Sequence, residues 1–311
     1  MTVPPCKYVF GPVPSRRLGR SLGVDLAPRK VCSFDCCYCQ VGRTTRLSAT
    51  LEHFTPVQPI LAEIAEKLRA GPRPDHITLS GSGEPTLNAD LGKIIEGIRK
   101  LTDVPIAILT NGSMLRLPEV RAACAKADVV LPTLDAPDEE TFQKIHRPAP
   151  GVTLEETLRG LELFRREFRG RIWVEVFLIP GVNTAPEQIR RIREKIERFN
   201  PDRIQLNTAV RPTADAGVRA LSESELAELC KLFGPKAEAI ADFRAPASSG
   251  APAAGSDQVL DMIRRRPVTA QDIADGMGLP PAEALKQVQA LRAAGKVVAE
   301  KRGGKEYFRP A

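Results

Sequence analysis

Histidine and aromatic residues are scarce in this chain, which holds three His, one Trp and three Tyr in 311 residues. His53, His76 and His146 lie far in sequence from the one close-set group of cysteines. A zinc site usually joins two C-x2-C knuckles or adds histidines to one. No second knuckle exists here, which argues against a closed zinc centre. No uninterrupted apolar run approaches the ~18 residues of a membrane span. The opening Met1-Thr2-Val3-Pro4-Pro5-Cys6-Lys7 lacks the apolar segment of a secretory signal. Seven cysteines in such a chain predict a reducing, cytoplasmic setting and no disulfide framework.

What the chain does have is length and positive charge. With 311 residues, 42% of them hydrophobic, it can bury a sizeable core and is expected to divide into two domains. The net charge is +7, and the surplus is concentrated early. Within the first fifty residues stand Lys7, Arg16, Arg17, Arg20, Arg29, Lys30, Arg43 and Arg46 against only Asp25 and Asp35. Such a basic stretch is either a solvated face that balances thiolates, or the entry for an anion. That anion would be nucleic acid, a nucleotide or a phosphorylated metabolite. Arg16-Arg17, between Pro14 and Gly19, sits in a turn-rich segment before the first expected strand.

Periodicity predicts strands alternating with helices. Strands are expected over 21–26, 76–80, 105–109, 128–134, 171–179 and 203–207. The expected helices cover 59–70, 91–101, 118–126, 139–146, 154–168 and 186–199. Six such repeats mean an α/β fold with a parallel sheet, its functional residues beyond the carboxyl ends of the strands. One strand face is unusually polar: Ser21, Gly23 and Asp25, then Thr78 and Ser80, Thr133 and Asp135, Glu175, Gln205 and Asn207. A filled barrel would carry Val, Ile and Leu on both faces. Polar alternation suggests a hollow sheet lined for a ligand.

The most specific segment is Val31-Cys32-Ser33-Phe34-Asp35-Cys36-Cys37-Tyr38-Cys39-Gln40. Cys32, Cys36 and Cys39 make C-x3-C-x2-C, with Tyr38 just before the last cysteine. Three thiolates on so short a loop can hold three irons of a [4Fe–4S] cluster and leave the fourth open to a small molecule. Cys37 competes with Cys36 for the middle position, but the resulting C-x4-C-x-C spacing is not one known for this chemistry. Cys6, Cys124 and Cys230 are scattered and read as small buried hydrophobes. The spacing and the aromatic resemble the signature of the radical S-adenosylmethionine (SAM) enzymes. That resemblance implies a [4Fe–4S] cluster whose open iron is chelated by SAM. It also implies reductive cleavage of SAM to methionine and a 5′-deoxyadenosyl radical, a flavodoxin- or ferredoxin-type one-electron reductant, and a partial six-stranded (β/α)6 barrel.

Further segments match the same family in order. Gly81-Ser82-Gly83-Glu84-Pro85 follows the second strand where the family has a Gly-Gly-Glu-Pro turn, with Ser82 replacing a glycine. The resemblance implies that Gly81, Ser82, Gly83 and Glu84 meet the ammonium of SAM. Thr110-Asn111-Gly112 ends the third strand. Thr133-Leu134-Asp135 ends the fourth, where the ribose hydroxyls are expected, and Ile179-Pro180-Gly181-Val182-Asn183 resembles the turn near the adenine. Tyr38, Asn111, Thr133 and Asp135 complete the expected cofactor contacts. The opening Phe10-Gly11-Pro12-Val13-Pro14-Ser15-Arg16-Arg17-Leu18-Gly19-Arg20-Ser21-Leu22-Gly23-Val24-Asp25 runs on into the cysteine loop, and about residues 8–215 resemble a group of radical SAM proteins related to, but distinct from, the tRNA wyosine-base synthases. Those synthases have a different cluster loop and a second amino-terminal cysteine set, where this chain has only Cys6.

After Phe243 the composition changes. Residues 244–256 read as a flexible Ala/Pro/Ser/Gly linker between a core domain, 1–243, and a second domain, 257–311. The second domain is expected to hold three helices, with Thr269 capping the middle one, and a basic hairpin around Gly303-Gly304. This pattern resembles a winged helix-turn-helix, and the linker predicts few contacts between it and the core. Three functions are compatible with these features. The first is a radical SAM enzyme acting on RNA, another nucleic acid or a nucleotide. The second is a radical SAM enzyme acting on a peptide captured by the winged helix. The third is an iron–sulfur redox-sensing DNA-binding regulator.

Overall fold

The computed structural model describes residues 8–240, 256–302 and 304–311. Cys6, Gly303 and nearly all of the expected linker lie outside them. The chain opens with β1 (Val9–Ser15) and β2 (Gly19–Val24) as an antiparallel pair. Two-residue strands β3 (Val31–Cys32) and β4 (Arg46–Leu47) then pair with each other. The body continues through α1 (Val57–Ala70), β5 (His76–Leu79), α2 (Leu91–Leu101), β6 (Ile106–Thr110), α3 (Pro118–Cys124) and β7 (Val129–Pro132). It is completed by α4 (Glu139–His146), α5 (Leu154–Glu167), β8 (Arg171–Phe177), α6 (Pro186–Glu197), β9 (Arg203–Asn207), α7 (Glu223–Phe233) and β10 (Ala237–Ala239).

The six expected parallel strands are present in sequential order, but the sheet has eight, β1-β2-β5-β6-β7-β8-β9-β10. The two additions lie at its edges and escaped the sequence pattern for different reasons. β1 carries Pro12 and Pro14 and has an irregular register between Phe10 and Val13, features an edge strand tolerates. β10 is Ala-Glu-Ala, too short and polar to show a strand period, and is held parallel to β9. Since β1 and β10 do not pair, the sheet is an open partial barrel.

The main core lies between the outer face of this sheet and the helices, with Ile77, Ile108, Val130, Val174 and Leu206 meeting Ile64, Ile95, Leu158 and Ile192. The inner face is divided. Near the amino ends of the strands Leu18, Ala107, Val129, Leu131 and Trp173 form an apolar plug. Toward the carboxyl ends the predicted polar residues appear, largely satisfied by one another. Ser21 Oγ lies 2.5 Å from Thr78 Oγ1, and Glu175 accepts from Arg17 at 2.6 Å and from Asn207 at 2.6 Å.

The carboxyl-terminal residues form α8 (Ser256–Arg265), α9 (Ala270–Met277), α10 (Pro281–Ala293) and the hairpin β11 (Val297–Arg302) with β12 (Lys305–Pro310). Ser256, expected in the linker, begins α8. Val259, Ile263, Val268, Ile273, Val288 and Phe308 give this unit a core of its own. Thr269 caps α9 in a reciprocal box with Asp272. The expectation of few contacts with the barrel does not hold. Tyr307 Oη donates to the Val210 carbonyl at 2.7 Å, and Arg302 donates to the Val218 carbonyl at 2.5 Å. Arg211 pairs with Asp272 at 3.1 Å, and Arg29 donates to the Arg264 carbonyl at 2.5 Å. The composition of residues 244–256 carried no information about the two surfaces that meet here.

Candidate active site

The cysteine loop is clamped at its feet by β3 and β4, with Val31 opposite Arg46 and Cys32 opposite Leu47. Its middle docks on the end of α4, where Asp35 N donates to the His146 carbonyl and Cys37 N to that of Ile145, both at 2.8 Å. Phe34 is buried edge-on against Phe142, with ring centroids 5.4 Å apart, and also packs on His146 at 4.7 Å.

Each of the three expected ligand sulfurs has a polar neighbour of its own. Lys30 Nζ lies 3.1 Å from Cys39 Sγ. Cys32 Sγ receives the Phe34 amide at 3.4 Å and Asn111 Nδ2 at 3.6 Å. Cys36 Sγ lies 3.3 Å from His146 Nδ1. Burial, reinforced by the charge of Glu84, pushes the Cys32 thiol up to about 12. Burial and then the neighbouring Cys32 and Cys39 push Cys36 well above the usual thiol range. These thiols therefore sit close enough to disfavour one another's ionisation, a penalty that a bound metal group removes by taking thiolates as ligands. Three thiols on one loop, each with a separate polar neighbour, form a donor set that fits a cluster, which takes each sulfur on a different iron. Cys37 instead packs with the apolar group of Ile145, Phe177 and Val218, and its thiol is pushed up to about 11, chiefly by burial.

The Gly81–Pro85 turn lies directly beneath this loop. Glu84 N donates to the Val31 carbonyl at 3.0 Å, and Lys30 N to the Ser82 carbonyl at 2.8 Å. A Cβ on Gly83 would stand 2.5 Å from the Val31 carbonyl oxygen and 2.9 Å from that of Pro28, so only glycine permits this approach. Ser82, the departure from the family pattern, donates through Oγ to Asp25 Oδ2 at 2.7 Å. Glu84 reaches the expected place, but four donors within the chain take its buried carboxylate: Thr86 N and Oγ1, Thr110 Oγ1 and Asn111 N. Burial still holds that carboxyl above its ordinary value.

Asn111 belongs to the same lattice, donating to Ser33 Oγ at 2.8 Å. Asp135 is fully buried, accepting from Tyr38 Oη at 2.8 Å and facing His146 Nε2 at 2.7 Å. Tyr38 stacks on Phe177, with centroids 3.9 Å apart. Thr133 bridges to Glu175 beside them. The structure thus gathers Tyr38, Gly81, Ser82, Gly83, Glu84, Asn111, Thr133 and Asp135 at the carboxyl ends of the strands. It engages the Glu84 and Asp135 carboxylates internally. Sequence reasoning missed Lys30, Ser33 and His146 as partners of the loop. Their only sequence signals were the local basic surplus and the position of His146 at a helix end.

A partial α/β barrel with a three-cysteine loop over its strand ends defines a class, and the comparisons agree. Residues 28–196 match the radical SAM superfamily, and the chain belongs to it. It is therefore an enzyme of the kind that uses a [4Fe–4S] cluster and SAM, and the redox-sensing regulator reading falls away. Among relatives, the UPF0026 protein of Helicobacter pylori (strain J99) is 31% identical over 96% of both chains. A protein named GTPase Obg from Brachyspira hyodysenteriae is 36% identical over 94% of this chain, which spans only 43% of that relative. A probable GTP 3′,8-cyclase of Saccharolobus islandicus (strain L.S.2.15) is 27% identical over 59% of this chain and 53% of its own. In fold the chain is similar to Streptococcus suis SuiB bound to its precursor peptide SuiA, with a TM-score of 0.54 and 14% identity. That match covers 70% of this chain and 48% of that one. No helix among the described residues is long and apolar enough to cross a membrane.

Proposed function

We propose that Cys32, Cys36 and Cys39 hold the cluster, and that the enzyme cleaves SAM reductively to abstract hydrogen from a nucleotide or nucleic-acid substrate. The observation that carries this reading is the set of three thiols on one loop, each with its own polar neighbour, above the Gly81–Pro85 turn. When bound, cluster and SAM supply one-electron cleavage of the sulfonium, the source of the radical. The chain's own residues orient and shield. Lys30 offers the Cys39 thiolate a charge-assisted hydrogen bond, and Asn111 links Cys32 to the strand-end turn that carries Glu84. Gly81 to Gly83 shape the floor for the SAM ammonium, and Thr133, Asp135 and Tyr38 line the nucleoside side. A flavodoxin- or ferredoxin-type protein in the cytoplasm supplies the electron.

The basic surplus of the first fifty residues supports an anionic substrate, as do the cyclase relative and the likeness of residues 8–215 to wyosine-base synthase relatives. In this reading residues 257–311 are a winged-helix recognition domain joined through the 244–256 linker to the 1–243 core. A peptide substrate is the second reading, favoured by one observation: Arg302, on the expected basic wing, is turned onto the Val218 carbonyl. Anaerobic incubation with SAM and dithionite tests the chemistry, with accumulation of 5′-deoxyadenosine as the expected result. No 5′-deoxyadenosine from cluster-replete protein would reject the proposal.

A further inference from the structure

A cavity of about 870 Å³ opens between the inner face of the barrel and helices α8 and α9. Its volume lies within the range of small-ligand sites. Its lining includes Ser80 and Gly81 at the strand-end turn, and Gln40, the residue after Cys39. It also includes arginines from three separate parts of the chain. Arg16 and Arg17 come from the β1–β2 turn, Arg211 from the segment after β9, and Arg266 from the end of α8. Arg20 and Lys67 bring the basic lining residues to six, against Asp261, Asp272 and Asp275.

Two of these cations are incompletely satisfied. Arg17 is neutralised by Glu175 at 2.6 Å. Arg211 is 8% exposed, and although its Nη2 meets Asp272 at 3.1 Å, its Nε is buried without a hydrogen-bond partner. Arg266 forms no hydrogen bond or ion pair among the described residues. Its own charge is disfavoured, with its pKa brought down to about 9 by burial first and then by the neighbouring Arg211 and Arg16. It still carries its proton at neutral pH. Guanidinium groups crowded in a shielded cavity are what a phosphate satisfies, because each offers planar paired donors and a charge held out of water.

We propose that this cavity is the substrate site, and that it takes a phosphorylated small molecule of nucleotide size. Its phosphate would rest among Arg16, Arg211 and Arg266, and its reacting carbon would lie toward Gly81. The inference rests on the radical SAM reading for the identity of the reacting end, and on the arginine wall alone for the anion. It gives the carboxyl-terminal unit a direct part in the site through Arg266. The connection between the two units then follows physically, because Arg211 joins Asp272 while Ala214 N and Asp215 N donate to the Cys39 and Cys37 carbonyls, both at 2.9 Å.

The test is calorimetric titration of the full-length, cluster-replete protein with inorganic pyrophosphate and with ADP under anaerobic conditions. Both should bind, and Arg266→Gln should weaken both about tenfold or more, the loss expected for one charge-assisted contact. Arg16→Gln, in the β1–β2 turn, should do the same, so the result does not depend on one variant folding. Arg292→Gln, on α10 away from the cavity, should leave binding unchanged. Pyrophosphate and ADP that fail to bind, or bind Arg266→Gln and Arg16→Gln as tightly as wild type, would overturn the site. A 5′-phosphorylated oligonucleotide binding more tightly than ADP would overturn the small-molecule class. Wild-type protein that binds pyrophosphate through Arg266 yet forms no 5′-deoxyadenosine would support the anion site while rejecting the radical reading.

Discussion

His146 stands between a buried carboxylate and a cysteine, with Nε2 2.7 Å from Asp135 Oδ1 and Nδ1 3.3 Å from Cys36 Sγ. Such an outer contact orients a ligand and tunes the metal group that the ligand holds. With Nδ1 protonated, His146 donates to the Cys36 sulfur, and a hydrogen bond to a cluster sulfur stabilises the more negative, reduced state and so raises the potential. His146→Leu should therefore lower the midpoint potential of the cluster while iron content stays close to wild type. Potentiometric titration followed by electron paramagnetic resonance reads this directly, and an unshifted potential would remove His146 from the ligand shell.

Replacing Cys32, Cys36 or Cys39 singly by alanine should abolish the cluster, since each loss leaves two irons without a protein ligand. Cys37→Ala should retain it, because Cys37 packs with Ile145 and Phe177. Iron and sulfide content, with visible absorbance, decides the matter. Loss in Cys37→Ala with retention in Cys36→Ala would reverse the assignment.

Gly83→Ala should be severe. The added methyl meets two fixed carbonyl oxygens, those of Val31 and Pro28, and no flexible side chain. Overpacking of this kind costs about 1–3 kcal/mol, and it would displace the strand that ends at Cys32. The expected outcome is a lowered melting temperature together with poor cluster loading. Wild-type values of both would show that the turn and the loop do not touch as described.

Asp272 gives the docking of the carboxyl-terminal unit a pH dependence. Burial pushes its carboxyl up, but Arg211 and the Thr269 hydrogen bonds outweigh this and leave it below its ordinary 3.8. A depressed folded value means that the stabilisation is complete above pH ~4 and is lost as pH falls through the folded value. At neutral pH Asp272→Asn should cost about 1–3 kcal/mol, since it removes the charge paired with the buried Arg211. In chemical denaturation of the cluster-free protein, the gap from wild type should close as pH falls below 3.8. A gap that persists unchanged to pH 3 would assign the effect to packing.

Tyr307→Phe should remove the hydrogen bond to the Val210 carbonyl, at a cost of about 0.5–1.5 kcal/mol. Limited proteolysis of the folded chain should accelerate in that variant. Equal cleavage rates would mean that this contact does not hold the two units together.

Local spacing was enough to reveal the cysteine loop, the six parallel strands and the Gly81–Pro85 turn. Thiolates that share a cluster must come close together, strands with an apolar outer face and a polar inner face must alternate in a recognisable way, and a turn beneath a metal loop needs small residues. β1 and β10 were not legible, because edge strands need little intrinsic propensity and borrow their order from a neighbour. Nor was the partnership of Cys36 with His146, 110 residues away, or the engagement of Glu84 by Thr86, Thr110 and Asn111. The arginine wall shows the difference most clearly. Arg16 and Arg17 were visible as local charge, but Arg211 and Arg266 carried no signal until folding closed α8 and α9 over the barrel. Sequence alone determined which chemistry the chain can hold, since that depends on residue types a few positions apart. Tertiary structure alone decided which long-range neighbours satisfy, shield or leave unpaired those groups, because burial and electrostatics depend on distances that the order of residues does not contain.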